Sequence, residues 1–429
     1  MIYQVAELFF DFTNEKKEFD MKKSAGILPL LALVLILSAC VSDDNVSGID
    51  IEVTHFEPIL PRPAEVPEES KKAFTSWGNG WNLGNTFDAK TDGSKENLGL
   101  STETSWRMPR TTEEMIKAVA AKGFKTIRIP VSYHNHIKDS SCTIDEKWLE
   151  RIKTIVDWSL ASGMNAIINI HHDNMSDAQM KANYGFCVPE NSASLKEQSI
   201  EYITAVWKQV ATYFKDYGDM LVFEVLNEPR AVGTKYEWSE PSGYSSKVAA
   251  ANKIIMEYEK AALDAIRSTG GNNASRFVMI PPYAAAPHML SGWSLPEDSA
   301  SGKLIVSLHA YTPYDFCMGN DDKFTSSHED NIKNWLFATI YSNFTSKGIP
   351  VIIGETSASD KNNSGERKKW AEYFYGMGKE KNIPLIVWDN MVVYPNGNDK
   401  AERHGYFNRK ELTWWHEEIV NIMVGKENN

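Results

Sequence analysis

From about residue 71 onward, short continuous apolar runs alternate with amphipathic stretches along the chain. Runs such as Leu221-Val222-Phe223 and Val351-Ile352-Ile353 read as buried parallel strands, because a strand covered on both faces loses its polar alternation. Strand candidates fall at 77–84, 125–130, 164–170, 221–227, 277–281, 304–309, 350–355 and 384–388. Helical periodicity lies between them, at about 111–122, 146–162, 194–216, 248–269, 328–347, 365–381 and 411–424. Thr111-Thr112-Glu113-Glu114 reads as a capping box, and Gly163 and Gly270 sit where helices should stop. Between 281 and 304 the helix is short or irregular. Eight strands separated by helices predict the α/β class and a (β/α)8 TIM barrel in preference to an open, doubly wound sheet. The expected domain is 71–429, a length that barrels with inserted loops commonly take as one unit.

The amino terminus follows a different pattern. From Met21, the expected translation start, the chain runs Met-Lys-Lys, an apolar stretch, then Leu37-Ser38-Ala39-Cys40. A basic start, a short apolar core and small residues before a cleavage point define a secretory signal, so 1–40 is read as a targeting segment. Leu-Ser-Ala-Cys also resembles a bacterial lipoprotein box, which makes Cys40 the expected lipidation site. Asp43-Asp44 resembles an acidic tag for the outer surface, so the expected location is the outer membrane, facing outward. Residues 41–70 are polar, acidic and proline-bearing, as a tether between anchor and domain would be.

Composition narrows the partners. A net charge of −12 argues against nucleic acid and against an anionic membrane face, since phosphate binding needs clustered Lys and Arg. Membrane contact is therefore expected only through the lipid, and the domain is expected to be a monomer acting on a neutral substrate. The 13 Trp and 17 Tyr suit sugar rings, although aromatics also fill cores. Past the signal three cysteines remain, Cys142, Cys187 and Cys317, and an odd number leaves at least one unpaired. A Cys142–Cys187 bridge is one open pairing. Without a Cys-x-x-Cys pair no structural zinc is expected.

Polar residues close the strand candidates. Arg128 follows Ile127, His171-His172-Asp173 follows Ile170, His309-Ala310-Tyr311 follows Leu308, and Trp388-Asp389-Asn390 follows Val387. Two glutamates stand out, Glu228 in Asn227-Glu228-Pro229 and Glu355 in Gly354-Glu355. In a barrel the carboxyl ends of the strands carry the chemistry. Two carboxyls brought to one rim match glycosidic cleavage, where one protonates the leaving oxygen and the other attacks or activates water. Strand alternation puts Glu224 on the face of Glu228, inside the barrel, where it is read as half of a structural ion pair.

In this order and spacing, these residues resemble glycoside hydrolase family 5 over roughly residues 72–424. Gly80-Trp81-Asn82-Leu83-Gly84-Asn85-Thr86-Phe87-Asp88-Ala89 and Glu237-Trp238 resemble its subfamily 4 of endoglucanases and xyloglucanases. The resemblance implies Glu228 as acid/base, with a raised pKa, and Glu355 as an ionised nucleophile. It implies Arg128 and Tyr311 as donors to Glu355, Asn227 on the sugar 2-hydroxyl and His309 orienting Glu228. His171, His172, Trp388, Asn85, Asp88 and Trp238 are implied as sugar contacts. Retention of configuration implies carboxyls about 5–5.5 Å apart. No cofactor or metal is implied.

Plainer readings stand beside these. His134 and His136 with His171-His172-Asp173 could form a metal cluster, a reading set aside because the family's chemistry needs none. Trp238, Trp293 and Trp106 are sugar platforms or loop anchors. Trp148, Trp158, Trp207 and Trp414-Trp415 read as packing residues. The reading is a surface-tethered endo-β-1,4-glucanase with xyloglucan as first choice. Cellulose derivatives, mixed-linkage glucan and mannan are rival substrates, and a non-catalytic glycan-binding lipoprotein is the rival class.

Overall fold

The computed structural model describes Pro63, residues 65–74 and residues 76–426. The signal, Cys40 and most of the expected tether lie outside the described residues, as does the unit Met1–Glu57. The second unit, Pro58–Asn429, holds the barrel. Its strands are β1 (Gly80–Asn82), β2 (Thr126–Ile129), β3 (Asn165–Asn169), β4 (Leu221–Glu224), β5 (Val278–Ile280), β6 (Leu304–His309), β7 (Val351–Thr356) and β8 (Leu385–Val387). Each pairs in parallel with its sequence neighbours, and β1 pairs with β8, so the sheet closes. This is the (β/α)8 barrel that the apolar runs predict.

Side-chain alternation sorts the strands into layers. Inside the barrel, Ile167, Val222, Met279, Ile305, Ile352 and Ile386 form one apolar ring, with Trp77 and Phe277 packed against it. Two positions further along the strands come Asn169, Glu224, Ser307 and Gly354, so an apolar floor gives way to a polar layer beneath the rim. The opposite strand faces join the larger core under the helices.

Helices Glu146–Ala161, Ala193–Tyr213, Ser245–Ser268 and Ser364–Lys381 lie within a few residues of expectation. Trp148 and Trp207 are fully buried among them, and Trp158 stacks against Arg151 at 5.5 Å, as packing residues should. Gly163 and Gly270 follow helix ends at φ 77° and 67°, a conformation that glycine adopts without steric cost. No helix among the described residues is long and apolar enough to cross a membrane.

Four local expectations are corrected. The first helix, Glu113–Lys122, is capped by Thr112, whose side chain accepts from Met115 N, so the box starting at Thr111 is not formed. Thr111 is held instead by Glu103, which accepts its N–H at 2.8 Å. The 328–347 helix is a composite of Ser326–Asp330, a π-helical Asn331–Phe337 and Ala338–Asn343. The last helix spans only Glu417–Met423, because Phe407–Asn408 pairs with Thr413–Trp414 and His416 turns left-handed at φ 52°. Residues 68–70, placed in the tether, already belong to the fold: Glu68–Lys71 is a 3-10 turn and Ser70 Oγ donates to Asp157 at 3.2 Å.

His136 shows how acid should act on this fold. It is fully buried, its ring lies 3.6 Å from that of Trp148 at 9°, and burial pushes its pKa down to about 3. In the unfolded chain a histidine titrates near ~6.5. A depressed folded pKa means that this contribution is complete above the unfolded value and is lost as pH falls toward the folded one. Between pH 7 and 5, wild-type protein should therefore lose about 2 kcal/mol more than His136→Phe, which keeps the stack. Thermal unfolding of both at several pH values measures the difference, and parallel curves would contradict it.

Candidate active site

Arg128, fully buried on β2, is the hub of the polar layer. Its Nε donates to Glu224 Oε2 at 2.8 Å, Nη1 to Asn82 Oδ1 at 3.0 Å and to Glu355 Oε1 at 2.7 Å, and Nη2 to Asn227 Oδ1 at 2.6 Å. Glu224 also accepts from Asn169 Nδ2 and from Ser307 Oγ. Glu224 is thus the structural half of an ion pair, as expected. Burial works against the guanidinium charge, but Glu224 and Glu355 outweigh it and hold Arg128 protonated more firmly than usual. The alternation argument stops there: β4 ends at Glu224 and Leu226 packs into the outer core, so Glu228 reaches the rim by a turn in the chain.

Glu355 owes its direction to an irregularity in β7. Leu308 faces Ile353, but His309 faces Glu355, so one extra residue, Gly354, is inserted in β7. Ile352 lines the barrel interior, and plain alternation would point Glu355 outward; a bulge re-aims the side chain. Space around Gly354 is tight, since a Cβ there would lie 3.3 Å from Ser307 Oγ and 3.4 Å from His309 Nε2.

Both carboxyls meet around His309. Its Nδ1 lies 2.8 Å from Glu228 Oε1 and 3.7 Å from Glu355 Oε2, while Nε2 faces Arg128 Nη2 at 3.5 Å. Tyr311 donates to Glu355 Oε2 at 3.0 Å. The donor atoms of Glu228, His309 and Glu355 all lie within 4.8 Å of one another.

The pKa shifts at this site depart from the sequence expectation. Burial raises the Glu355 pKa, and Glu228 adds to the rise against the pull of His309 and Arg128. Burial raises Glu228 too, but the His309 hydrogen bond, with Arg230 and His172, brings it below the usual carboxylate range. Burial disfavours the His309 cation, yet Glu355 and Glu228 together raise its pKa. Across their 2.8 Å contact Glu228 and His309 thus each favour the charged form of the other.

A ladder of rings extends from Glu355. Trp388 lies parallel to His171 at 5.8 Å, His171 meets His172 edge-on at 4.3 Å, and His172 meets Trp106 at 5.7 Å. A Cβ on Gly84 would come within 2.9 Å of Trp388, so that glycine lets the ring lie flat. Asn169 fixes the His171 tautomer. Its Oδ1 accepts from Val131 N and its Nδ2 donates to His171 Nδ1, which leaves His171 Nε2–H facing Glu355 at 3.9 Å. Asp88 differs from expectation: it is fully buried, accepts from Asn85 N and Thr86 N, and is pushed by burial to about 7. It shapes the loop that carries the left-handed Asn85, and His172 Nε2 stands 3.8 Å away.

Other expectations separate cleanly. Asp173 accepts from Tyr133 N, His134 N and Tyr202 Oη, and His136 lies on Trp148, so these residues build loops, not one metal cluster. The donor atoms of Asp88, His171 and His172 do approach within 4.8 Å, but hydrogen bonds to protein engage Asp88 and His171 Nδ1. Trp293 donates to Glu259 at 3.1 Å and anchors a loop, whereas Trp238 is 43% exposed. Cys142, Cys187 and Cys317 are all free thiols, so the Cys142–Cys187 bridge is not formed. Asn82, Asn169 and Ser307 were not singled out from the sequence. Their signal was available: Asn169 and Ser307 each sit two places beyond an inward isoleucine.

Against known proteins, residues 88–392 match the family model described as Cellulase (glycosyl hydrolase family 5). The chain is 37% identical to Endoglucanase A of Clostridium longisporum, over 85% of this chain and 68% of that one. It is 40% identical to Endoglucanase 1 of Ruminococcus albus, over 80% and 77%. Among solved structures, a family 5 lichenase from Caldicellulosiruptor sp. F32 superposes with a TM-score of 0.73 at 36% identity, covering 86% of this chain and 99% of that one. A xyloglucan-specific endo-β-1,4-glucanase from a metagenomic library, with cellotriose, gives 0.70 at 34%, covering 81% and 96%. A broad-specificity endoglucanase of subfamily 4 from Ruminococcus champanellensis, with bound cellotriose, gives 0.72 at 35%, covering 81% and 96%. With two carboxyls gathered at the rim of the barrel and this likeness running along most of the chain, the protein belongs to glycoside hydrolase family 5, the enzymes that hydrolyse glycosidic bonds.

Proposed function

We propose that the chain is a retaining endo-β-1,4-glucanase of plant cell-wall glucans, with xyloglucan its preferred substrate, Glu228 its acid/base and Glu355 its nucleophile. One observation carries the mechanism: the Glu228 and Glu355 carboxyl oxygens lie within 4.8 Å, flanking His309. Inverting enzymes need about 6.5–9.5 Å to admit a water, whereas direct attack needs about 5–5.5 Å.

Glu355, held by Arg128 and Tyr311, attacks the anomeric carbon while Glu228 protonates the departing oxygen. The proton comes from the Glu228–His309 pair, whose 2.8 Å bond lets it cross as the leaving oxygen docks. Once Glu355 is esterified its charge is gone, and with it the repulsion between the carboxyls. Glu228 then takes the proton of the water that releases the sugar. Asn227 Oδ1 accepts from Arg128 Nη2, which leaves its Nδ2 for the sugar 2-hydroxyl. Trp388 offers a flat floor, with His171, His172 and the Asn85 loop along the bound chain.

Xyloglucan is favoured by the xyloglucan-specific neighbour and by the Glu237-Trp238 signature; the lichenase neighbour supports mixed-linkage glucan as the alternative. Purified protein should cleave xyloglucan faster than carboxymethylcellulose, mixed-linkage glucan or glucomannan. Glu228→Gln should lose about 10²–10⁴-fold on that substrate. Glu355→Gln should lose at least as much, and undiminished cleavage by it would refute the mechanism. A higher initial rate on glucomannan would refute the substrate assignment.

The same reading has the enzyme act as a monomer held at the outer surface by lipid on Cys40, on the strength of Leu37-Ser38-Ala39-Cys40 and Asp43-Asp44. Protease shaving of intact cells should remove it, and protein left untouched would count against surface exposure.

A further inference from the structure

Arg230 has no place in the reaction as derived, yet it touches both the acid/base and the exposed aromatic beyond it. Its Nη1 donates to the backbone carbonyl of Glu228 at 3.0 Å. The guanidinium carbon lies 3.8 Å from the Trp238 ring centroid, on one face of the indole. Its Nε donates to Glu237 Oε1 at 3.2 Å, and Glu237 Oε2 accepts from Gly233 N at 2.8 Å. Its own N–H donates to Asn174 Oδ1 at 2.7 Å. The Arg230 and Glu237 side chains are only 14% and 15% exposed, while Trp238 remains 43% exposed. A large aromatic so open to water is retained against the hydrophobic effect, and here it is clamped from behind. The cation lies against the indole, and 43% of Trp238 stays open to water.

We propose that Arg230 is a positioning residue that welds Trp238 to the acid/base, making the indole a preset platform for the glucosyl unit on the leaving-group side of the scissile bond. The inference rests on Glu228 being the acid/base. A planar, forked cation suits the task, because it can stack on the indole and still donate in its own plane to Glu237 and the Glu228 carbonyl. Lysine cannot do both. The leaving sugar is thus supported within one short loop of the group that protonates its oxygen, and a platform fixed in advance saves the cost of ordering it on binding. Arg230 also contributes positive charge near Glu228. The other ionisable groups facing that carboxyl are His309 on β6, Tyr311 just after β6, Glu355 on β7 and His172 after β3.

The test compares xyloglucan with 2,4-dinitrophenyl β-cellobioside, whose leaving group carries no sugar for the platform and needs no proton. Arg230→Ala and Trp238→Ala should each lower kcat/KM on xyloglucan about tenfold or more, and on the aryl glycoside about threefold or less. Combined, they should be little worse than Trp238→Ala alone, since the residues act as one unit. The alkaline limb of the xyloglucan profile should move to higher pH in Arg230→Ala and stay in place in Arg230→Lys, which keeps the charge. Equal losses on both substrates, additive losses in the double variant, or an unmoved limb in Arg230→Ala would overturn the proposal. Wild-type protein that cleaves the aryl glycoside but no β-glucan would instead refute the proposed function.

Discussion

A single guanidinium, that of Arg128, ties the barrel to its chemistry. Burying an ion pair costs solvation that mutual attraction rarely repays unless every remaining donor finds a partner. Arg128 meets that condition through Asn82 on β1, Glu224 on β4, Glu355 on β7 and Asn227 at the rim. Glu224 is the permanent counter-ion, locked by Asn169 and Ser307. With one carboxylate matched below, the other donors are free to orient Glu355, the proposed nucleophile. The apolar ring of Ile167, Val222 and Ile352 beneath keeps water from competing for these bonds.

Two further devices complete the geometry. The Gly354 bulge turns Glu355 inward from a strand position that would otherwise face the helices, so the aim of this carboxyl depends on a backbone irregularity. His309 stands between two carboxyls, which together raise its proton affinity, and its 2.8 Å contact with Glu228 couples it to the proposed acid/base. Burial, like-charge repulsion and the imidazole thus act on the same few atoms. A change of charge at either carboxyl therefore shifts the proton affinity of the other.

The sequence shows what depends on periodicity and on residue type at strand ends. The barrel was legible because buried parallel strands are short apolar runs, and the site because Arg128, Glu228, His309 and Glu355 end or follow such runs. Glu224 was readable as structural, since a charge two places below the rim must be paired. Local deviations were not legible. The register slip at Gly354 changes no residue type, and the chain leaves strand geometry at Val225 without a glycine or proline to announce it. The expected site was also too simple at Asp88, whose carboxylate serves the Asn85 and Thr86 amides, a turn-building role that residue type does not distinguish from sugar contact. The opposite shifts of Glu228 and Glu355 were not legible, because they depend on distances among ionisable groups that the barrel brings together from separate parts of the chain.

The role of Glu355 is tested most directly by trapping the covalent intermediate. Incubation with 2,4-dinitrophenyl 2-deoxy-2-fluoro-β-cellobioside, followed by proteolysis and peptide mass spectrometry, should find the fluorinated sugar on the peptide containing Glu355 and specifically on that carboxyl. A label on Glu228, or inactivation with no covalent adduct, would contradict the account.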